Sequence, residues 1–154
     1  MKRFYIIIFI STTFFACSLK TESPVSLQHK LPLTGTWKLI SGTIIENGKT
    51  TVTDYTTNLS FIKIINDSHF AFLKHDLAHG KDKTADFGSG GGSYTLKDST
   101  YTEHLEYCNA REWEGNDFSF TVTIKKDTLI QSGIEKIEKA GVNRINIEKY
   151  YRLK

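Results

Sequence analysis

Cysteine, proline and net charge are all scarce in this 154-residue chain: two cysteines, two prolines, and 20 basic against 17 acidic residues. So few cysteines exclude a disulfide-knit secreted module. So few prolines exclude a proline-rich scaffold. Lys2 and Arg3 lie in a segment that reads as a cleaved leader, and without them the balance is 18 to 17, a net of +1. No electrostatic case for nucleic acid survives that subtraction. No apolar run reaches the roughly 20 residues that a membrane-spanning helix needs, and no amphipathic helix of three turns is visible. The whole chain is 39% hydrophobic and 12% aromatic, over a length suited to one domain.

The first segment reads as an address. Met1-Lys2-Arg3 is a short positive stretch, Phe4 to Phe15 is an apolar run of 12 residues broken by Ser11-Thr12-Thr13, and Ala16 precedes Cys17. That length suits a signal-peptide core. A small residue before a cysteine at the end of such a run resembles the bacterial lipobox, with Phe14 and Phe15 in place of the usual leucine and small residue. The resemblance implies acylation of Cys17, which becomes the first residue of the mature chain. Cleavage as an ordinary signal peptide, with Cys17 incidental, is the bland alternative. With Cys17 carrying lipid, Cys108 is left alone and no intramolecular disulfide is expected. Residues 18–30 are polar and aperiodic, a tether. The expected organisation is therefore a lipoprotein signal peptide over 1–16, a lipid-anchored tether over 17–32 and a folded domain over 33–154. The corresponding location is the cell envelope, on the outer membrane, with the membrane itself as partner through the lipid.

From Leu33 onward the hydrophobic period is two. Phe118, Phe120, Val122 and Ile124 alternate with Ser119, Thr121, Thr123 and Lys125, the pattern of a half-buried antiparallel strand. Tyr101, Glu103, Leu105 and Tyr107 share one parity, Ile145, Ile147 and Tyr151 another. Asn47-Gly48 is a strong hairpin signal, and Asn66-Asp67-Ser68, Lys97-Asp98-Ser99, Lys125-Lys126-Asp127 and residues 140–143 mark further turns. Strands are expected near 34–46, 50–57, 58–66, 69–74, 91–97, 100–108, 117–125, 127–135 and 144–152. That is one more than a clean eight, so 50–57 also reads as loop. Residues 75–90 read as a long polar, glycine-rich loop and 109–116 as a shorter one. Residues 135–139 allow one helical turn at most. Short strands with regular turns indicate a sandwich or a barrel. Successive hairpins favour an all-β, up-and-down antiparallel barrel of about eight strands, because closure removes exposed edges. Such a barrel is filled by side chains or holds one small ligand.

Gly35-Thr36-Trp37 resembles the G-x-W signature that opens the barrel of lipocalins. That resemblance implies a basic residue on the last strand packed across the indole, Arg152 here with Lys149 as fallback. Ser68 to Phe72, Gly90 to Leu96, Tyr101 to Tyr107, Phe118 to Phe120 and Asp127 to Gly133 together resemble lipocalin-like proteins of Bacteroidetes, a group with no assigned function. The resemblance covers most of residues 34–152 and implies a calycin-type barrel without bringing an activity.

Glu103 is the first candidate for chemistry. If its face points inward, a carboxylate sits inside the barrel, where it needs a partner or gives up its charge. One reading makes it the polar anchor of a ligand site with His69 and with Phe72, Tyr94, Tyr101, Tyr107 and Trp113 as walls. The other makes it part of an internal network with no ligand. His69, Glu103 and Tyr101 could also do acid–base work, but no nucleophile motif supports an enzyme. His75 and His79 stand four apart without the glutamate of a zinc helix motif, and residues 88–93 lack the lysine and the following helix of a phosphate loop. No metal and no cofactor is expected. The function expected is non-covalent binding of a small, partly apolar ligand inside the barrel. The alternative is a structural or interaction module with a filled barrel that binds another envelope protein.

Overall fold

Residues 31–154, except 82 and 84, are described by a computed structural model. The leader, Cys17 and most of the tether lie outside the described residues. Nine strands follow in order: β1 Gly35–Glu46, β2 Lys49–Asp54, β3 Leu59–Ile65, β4 His69–Asp76, β5 Phe87–Lys97, β6 Thr100–Cys108, β7 Asn116–Lys125, β8 Thr128–Ile137 and β9 Val142–Arg152. Two single-turn 3-10 segments, Arg111–Trp113 and Glu138–Ala140, are the helical structure among the described residues.

Every ladder is antiparallel, and pairing of β1 with β9 closes the sheet. Eight strands make the barrel, β1 and β3 to β9. β2 is the extra one, hydrogen-bonded to β1 alone. The 50–57 segment, which also reads as loop, is thus a short strand outside the ring as far as Asp54 and bend beyond it. Its hairpin with β1 turns at Asn47 and Gly48, both at positive φ (49° and 75°), as a tight two-residue hairpin requires. β2 and β3 descend the same edge of β1, β2 along Ser41–Glu46 and β3 along Gly35–Lys38. The break between them is held by Asp54, whose carboxylate accepts the Thr56 amide at 2.8 Å and the Thr56 hydroxyl at 2.6 Å.

The glycine-rich stretch is strand rather than loop. β4 runs on to Asp76 and β5 begins at Phe87, so the connection shrinks to residues 77–86. The glycines are needed for close approach. A Cβ on Gly90 would lie 2.6 Å from the Phe72 ring, and one on Gly92 would lie 1.9 Å from the carbonyl oxygen of His104. Gly92 faces a β-bulge: Gly91 pairs with Tyr107 and Gly92 with Leu105, leaving Glu106 without a partner in the ladder. An extra residue reverses the side-chain parity beyond it.

The buried core gathers at the end of the barrel where β1 begins and β9 finishes. Trp37, Leu39, Phe70, Tyr101, Leu129 and Tyr150 are all buried there. Trp37 and Arg152 are direct partners across the closing ladder. The Arg152 guanidinium carbon lies 4.0 Å from the Trp37 ring centroid, one Nη donates to the Thr34 carbonyl at 2.6 Å and the other to the Pro32 carbonyl. The indole N–H donates to the Leu33 carbonyl at 2.8 Å. A stacked cation and three backbone carbonyls therefore seal this end.

Candidate functional site

The inward side chains of the last two strands run against the usual pattern. On β9 the isoleucines face outward: Ile145 is exposed and Ile147 half-buried, while Arg144, Asn146, Glu148 and Tyr150 point in. On β8, Ile130 and Ile134 are exposed while Gln131 and Glu135 are buried. The parity that Ile145, Ile147 and Tyr151 share is thus the outer one. Leaving isoleucines in water while burying amides and carboxylates costs free energy twice. The interior of this barrel is built polar on one wall.

That wall meets Lys63, which β3 carries inward between Phe61 and Ile65. Lys63 Nζ lies 2.7 Å from Glu103 Oε1, 3.2 Å from Gln131 Oε1 and 3.9 Å from Glu148 Oε2. It also sits 5.4 Å from the centroid of the Tyr150 ring and 5.8 Å from that of Phe70. Burial works against the Lys63 charge, but the carboxylates of Glu103 and Glu148 outweigh it and raise its pKa. Burial pushes the Glu103 carboxyl above the usual range, with Lys63 opposing. Beside this group, Arg144 Nε donates to Glu135 Oε2 at 2.6 Å and Asn146 Nδ2 to Glu135 Oε1 at 2.8 Å. Glu148 Oε2 accepts the Tyr150 hydroxyl at 2.8 Å.

Above this network lies a cavity of about 410 Å³ in the half of the barrel away from Trp37. Its polar wall is Lys63, Glu103, Gln131, Glu135, Asn146 and Glu148, and its apolar wall includes Tyr55, Phe61, Phe72, Trp113, Phe118 and Phe120. Phe61 stacks on Phe72 with centroids 5.7 Å apart. Trp113, half-buried in the 109–115 connection, packs against Phe118 at 5.7 Å, and the Arg144 guanidinium lies 5.1 Å from its centroid. Glu114 anchors that connection by accepting the Cys108 amide at 2.8 Å. Cys108 is a free, half-buried thiol on the cavity wall.

Glu103, Phe72 and Trp113 thus reach the cavity. Tyr101 and Tyr94 are inward but lie in the packed floor. Tyr101 is fully buried between Phe70 and Tyr94, with ring centroids at 6.5 and 5.1 Å. Its hydroxyl has no well-formed hydrogen bond, and burial together with the Glu103 charge pushes its pKa far up. The Tyr94 hydroxyl donates to the Asn66 carbonyl at 2.8 Å, in the β3–β4 turn. Two candidates are corrected. Tyr107 is 68% exposed because the bulge at Glu106 turns it outward and brings Cys108 in. His69 is exposed, its Nδ1 2.8 Å from the Ser68 hydroxyl, because Phe70 and Phe72 take the inward parity of β4. The His69–Glu103–Tyr101 cluster is therefore not formed.

Sequence reading missed Lys63, Gln131, Glu135, Arg144, Asn146 and Glu148. A signal for Lys63 was present, since it shares parity with Phe61 and Ile65. On β9 the isoleucine parity points outward, and on β8 apolar residues stand on both parities, so neither strand marks its inner face. His75 and His79 have ring centroids 6.2 Å apart, and no cluster of three or more metal-ligating side chains occurs among the described residues.

No family model matches the chain, and no curated protein matches it. Among solved structures, an uncharacterized protein from Bacteroides eggerthii is similar at 13% identity, over 78% of this chain and 98% of that one, with a TM-score of 0.46.

Proposed function

We propose that this is a lipid-anchored envelope protein of the lipocalin-like kind, which binds a small, partly apolar ligand inside its barrel without transforming it. The anchor rests on Ala16-Cys17 at the end of an apolar run that begins after Lys2-Arg3, and it leads to the outer membrane as location. The ligand reading is carried by one observation: a cavity of about 410 Å³ with an aromatic wall facing a charged one. Small-molecule sites occupy roughly 300–1,000 Å³ and combine apolar area with a few placed polar groups. Glu103, Phe72 and Trp113 belong to it, together with Lys63, Phe61 and Glu148. No cofactor enters this reading, and neither His69 nor Tyr107 has a role in it.

The exposed Ile130, Ile134 and Ile145 on the outer face of β8 and β9 favour a second reading, an interaction module that docks on another envelope protein. Thermal-shift screening of the purified chain against lipids and metabolites decides between them. The ligand reading expects a compound that raises the melting temperature of the wild type and fails to do so when Cys108→Trp fills the cavity. A flat response across the panel, with the cavity-filled variant more stable than the wild type, overturns it in favour of the module.

A further inference from the structure

Three cations and three carboxylates line the cavity, but one of the cations is drawn to a carboxylate outside it. Lys63, Lys74 and Arg144 line it with Glu103, Glu135 and Glu148, and each cation is already committed. Lys74 Nζ is 2.9 Å from Asp86, which lies outside the lining. Arg144 is bonded to Glu135. Lys63 sits at 2.7 Å from Glu103 and only 3.9 Å from Glu148. Counting Asp86, four carboxylates share three cations. The least compensated carboxylate is Glu148, whose nearest cation is Lys63 at 3.9 Å and whose closest hydrogen bond comes from a neutral donor, the Tyr150 hydroxyl at 2.8 Å.

Some of the aromatic rings of the cavity wall are also without a cation. Lys63 lies over Tyr150 and Phe70, and Arg144 over Trp113. Tyr55, Phe61 and Phe72 form a contiguous group, with centroids 5.9 and 5.7 Å apart, and no side-chain cation lies over them among the described residues. Tyr55 is next to Glu148. Gly42 is the register partner of Glu148, and a Cβ on Gly42 would sit 3.2 Å from the Tyr55 ring. A carboxylate short of a counter-ion beside uncovered aromatic faces attracts a cation by charge and by the ring quadrupoles together.

We infer that the occupant of the cavity is a small organic amine, its ammonium held between the Glu148 carboxylate and the Tyr55 and Phe61 rings and its apolar body against Phe72 and Phe118. This rests on the reading that the cavity binds a ligand, and it adds the charge of that ligand. An anionic occupant is disfavoured because it would raise the carboxylate excess. A neutral one leaves Glu148 with no cation nearer than Lys63 at 3.9 Å.

The test uses three probes with one phenyl body: phenethylamine, phenethyl alcohol and phenylacetate. Each is titrated calorimetrically into the full chain and its Glu148→Gln variant at neutral pH. The amine is expected to bind at least about tenfold more tightly than the alcohol, and phenylacetate more weakly than both. Glu148→Gln is expected to bring amine binding down to the level of the alcohol, with an unchanged circular dichroism spectrum and melting transition showing that the variant is folded. Alcohol or phenylacetate binding with the same affinity as the amine, or a higher one, overturns the assignment of charge while supporting the ligand cavity. An amine preference that survives Glu148→Gln overturns the assigned residue. If none of the three binds, the amine assignment falls, and the thermal-shift panel separately decides whether the cavity binds anything.

Discussion

Lys63 Nζ and Glu103 Oε1 meet at 2.7 Å inside the barrel, from β3 and β6, with both side chains less than a tenth exposed. These strands are not neighbours, so the pair ties opposite walls together across the interior. Burial of two charges is expensive, and their attraction recovers that cost only when the remaining polar atoms are satisfied. Gln131 and Glu148 help to do so.

Breaking the pair from one side is therefore expected to be costly. Lys63→Met should lower the free energy of unfolding by about 3–5 kcal/mol, because Glu103 is left buried without its partner. Lys63→Met with Glu103→Leu should recover most of that loss. Urea denaturation of the wild type, the single variant and the double variant checks both. A single variant as stable as the wild type would mean that the pair is solvated and the interior is not dry.

The bulge gives a sharper structural test. Gly92→Ala is expected to cost at least about 2 kcal/mol, because its Cβ would meet the His104 carbonyl oxygen at 1.9 Å. Gly88→Ala should stay within about 1 kcal/mol of the wild type, since its new Cβ meets the flexible Lys74 chain at 3.1 Å. Equal melting temperatures for the two variants would contradict the bulge that turns Tyr107 outward.

Alkaline pH should unfold the protein. Burial raises the phenol pKa of Tyr101 and Tyr150, whereas in the unfolded chain both ionise near pH 10. Their contribution to stability is fully present below about pH 10 and is lost as pH rises beyond it. Lys63 acts in the same direction, because its raised folded pKa favours the native state most below its unfolded value. Circular dichroism melts and tyrosinate absorbance check this, with Tyr101 and Tyr150 ionising only as the native signal is lost. Complete tyrosinate absorbance in a chain with a native spectrum would contradict it.

The anchor is tested at Cys17. The wild type expressed in a Bacteroidetes host should incorporate an alkyne-labelled fatty acid and sediment with membranes. Cys17→Ser should do neither. Label retained by the variant would place the acylation elsewhere and undo the lipobox reading.

How much of this could be read from the sequence depends on which force governed each segment. Alternation along β6 and β7 is driven by burial of Tyr101, Phe118, Phe120 and Val122, so strand positions and inward parity were legible there. Asn47-Gly48 announced its hairpin through backbone chemistry alone. The glycine stretch was misread as loop because glycine lowers strand propensity, whereas here it serves the approach of β4 and β6 to β5. Tyr107 was misassigned because a bulge is a tertiary event, with Gly92 the local mark of it. The site itself was half legible. Glu103 stood out as a carboxylate among apolar neighbours. Its partners on β8 and β9 did not, since β8 places isoleucines outward as well as Leu129 and Ile137 inward, and on β9 the isoleucines point away from the interior.

The central claim, that the charged interior is a ligand site, is tested most directly by native mass spectrometry of the chain purified gently from its host envelope. The account predicts a reproducible bound mass, retained through desalting, released by denaturation and missing from the cavity-filled Cys108→Trp variant. A bare chain mass in both proteins would contradict it and leave Lys63, Glu103 and Glu148 as an internal network alone.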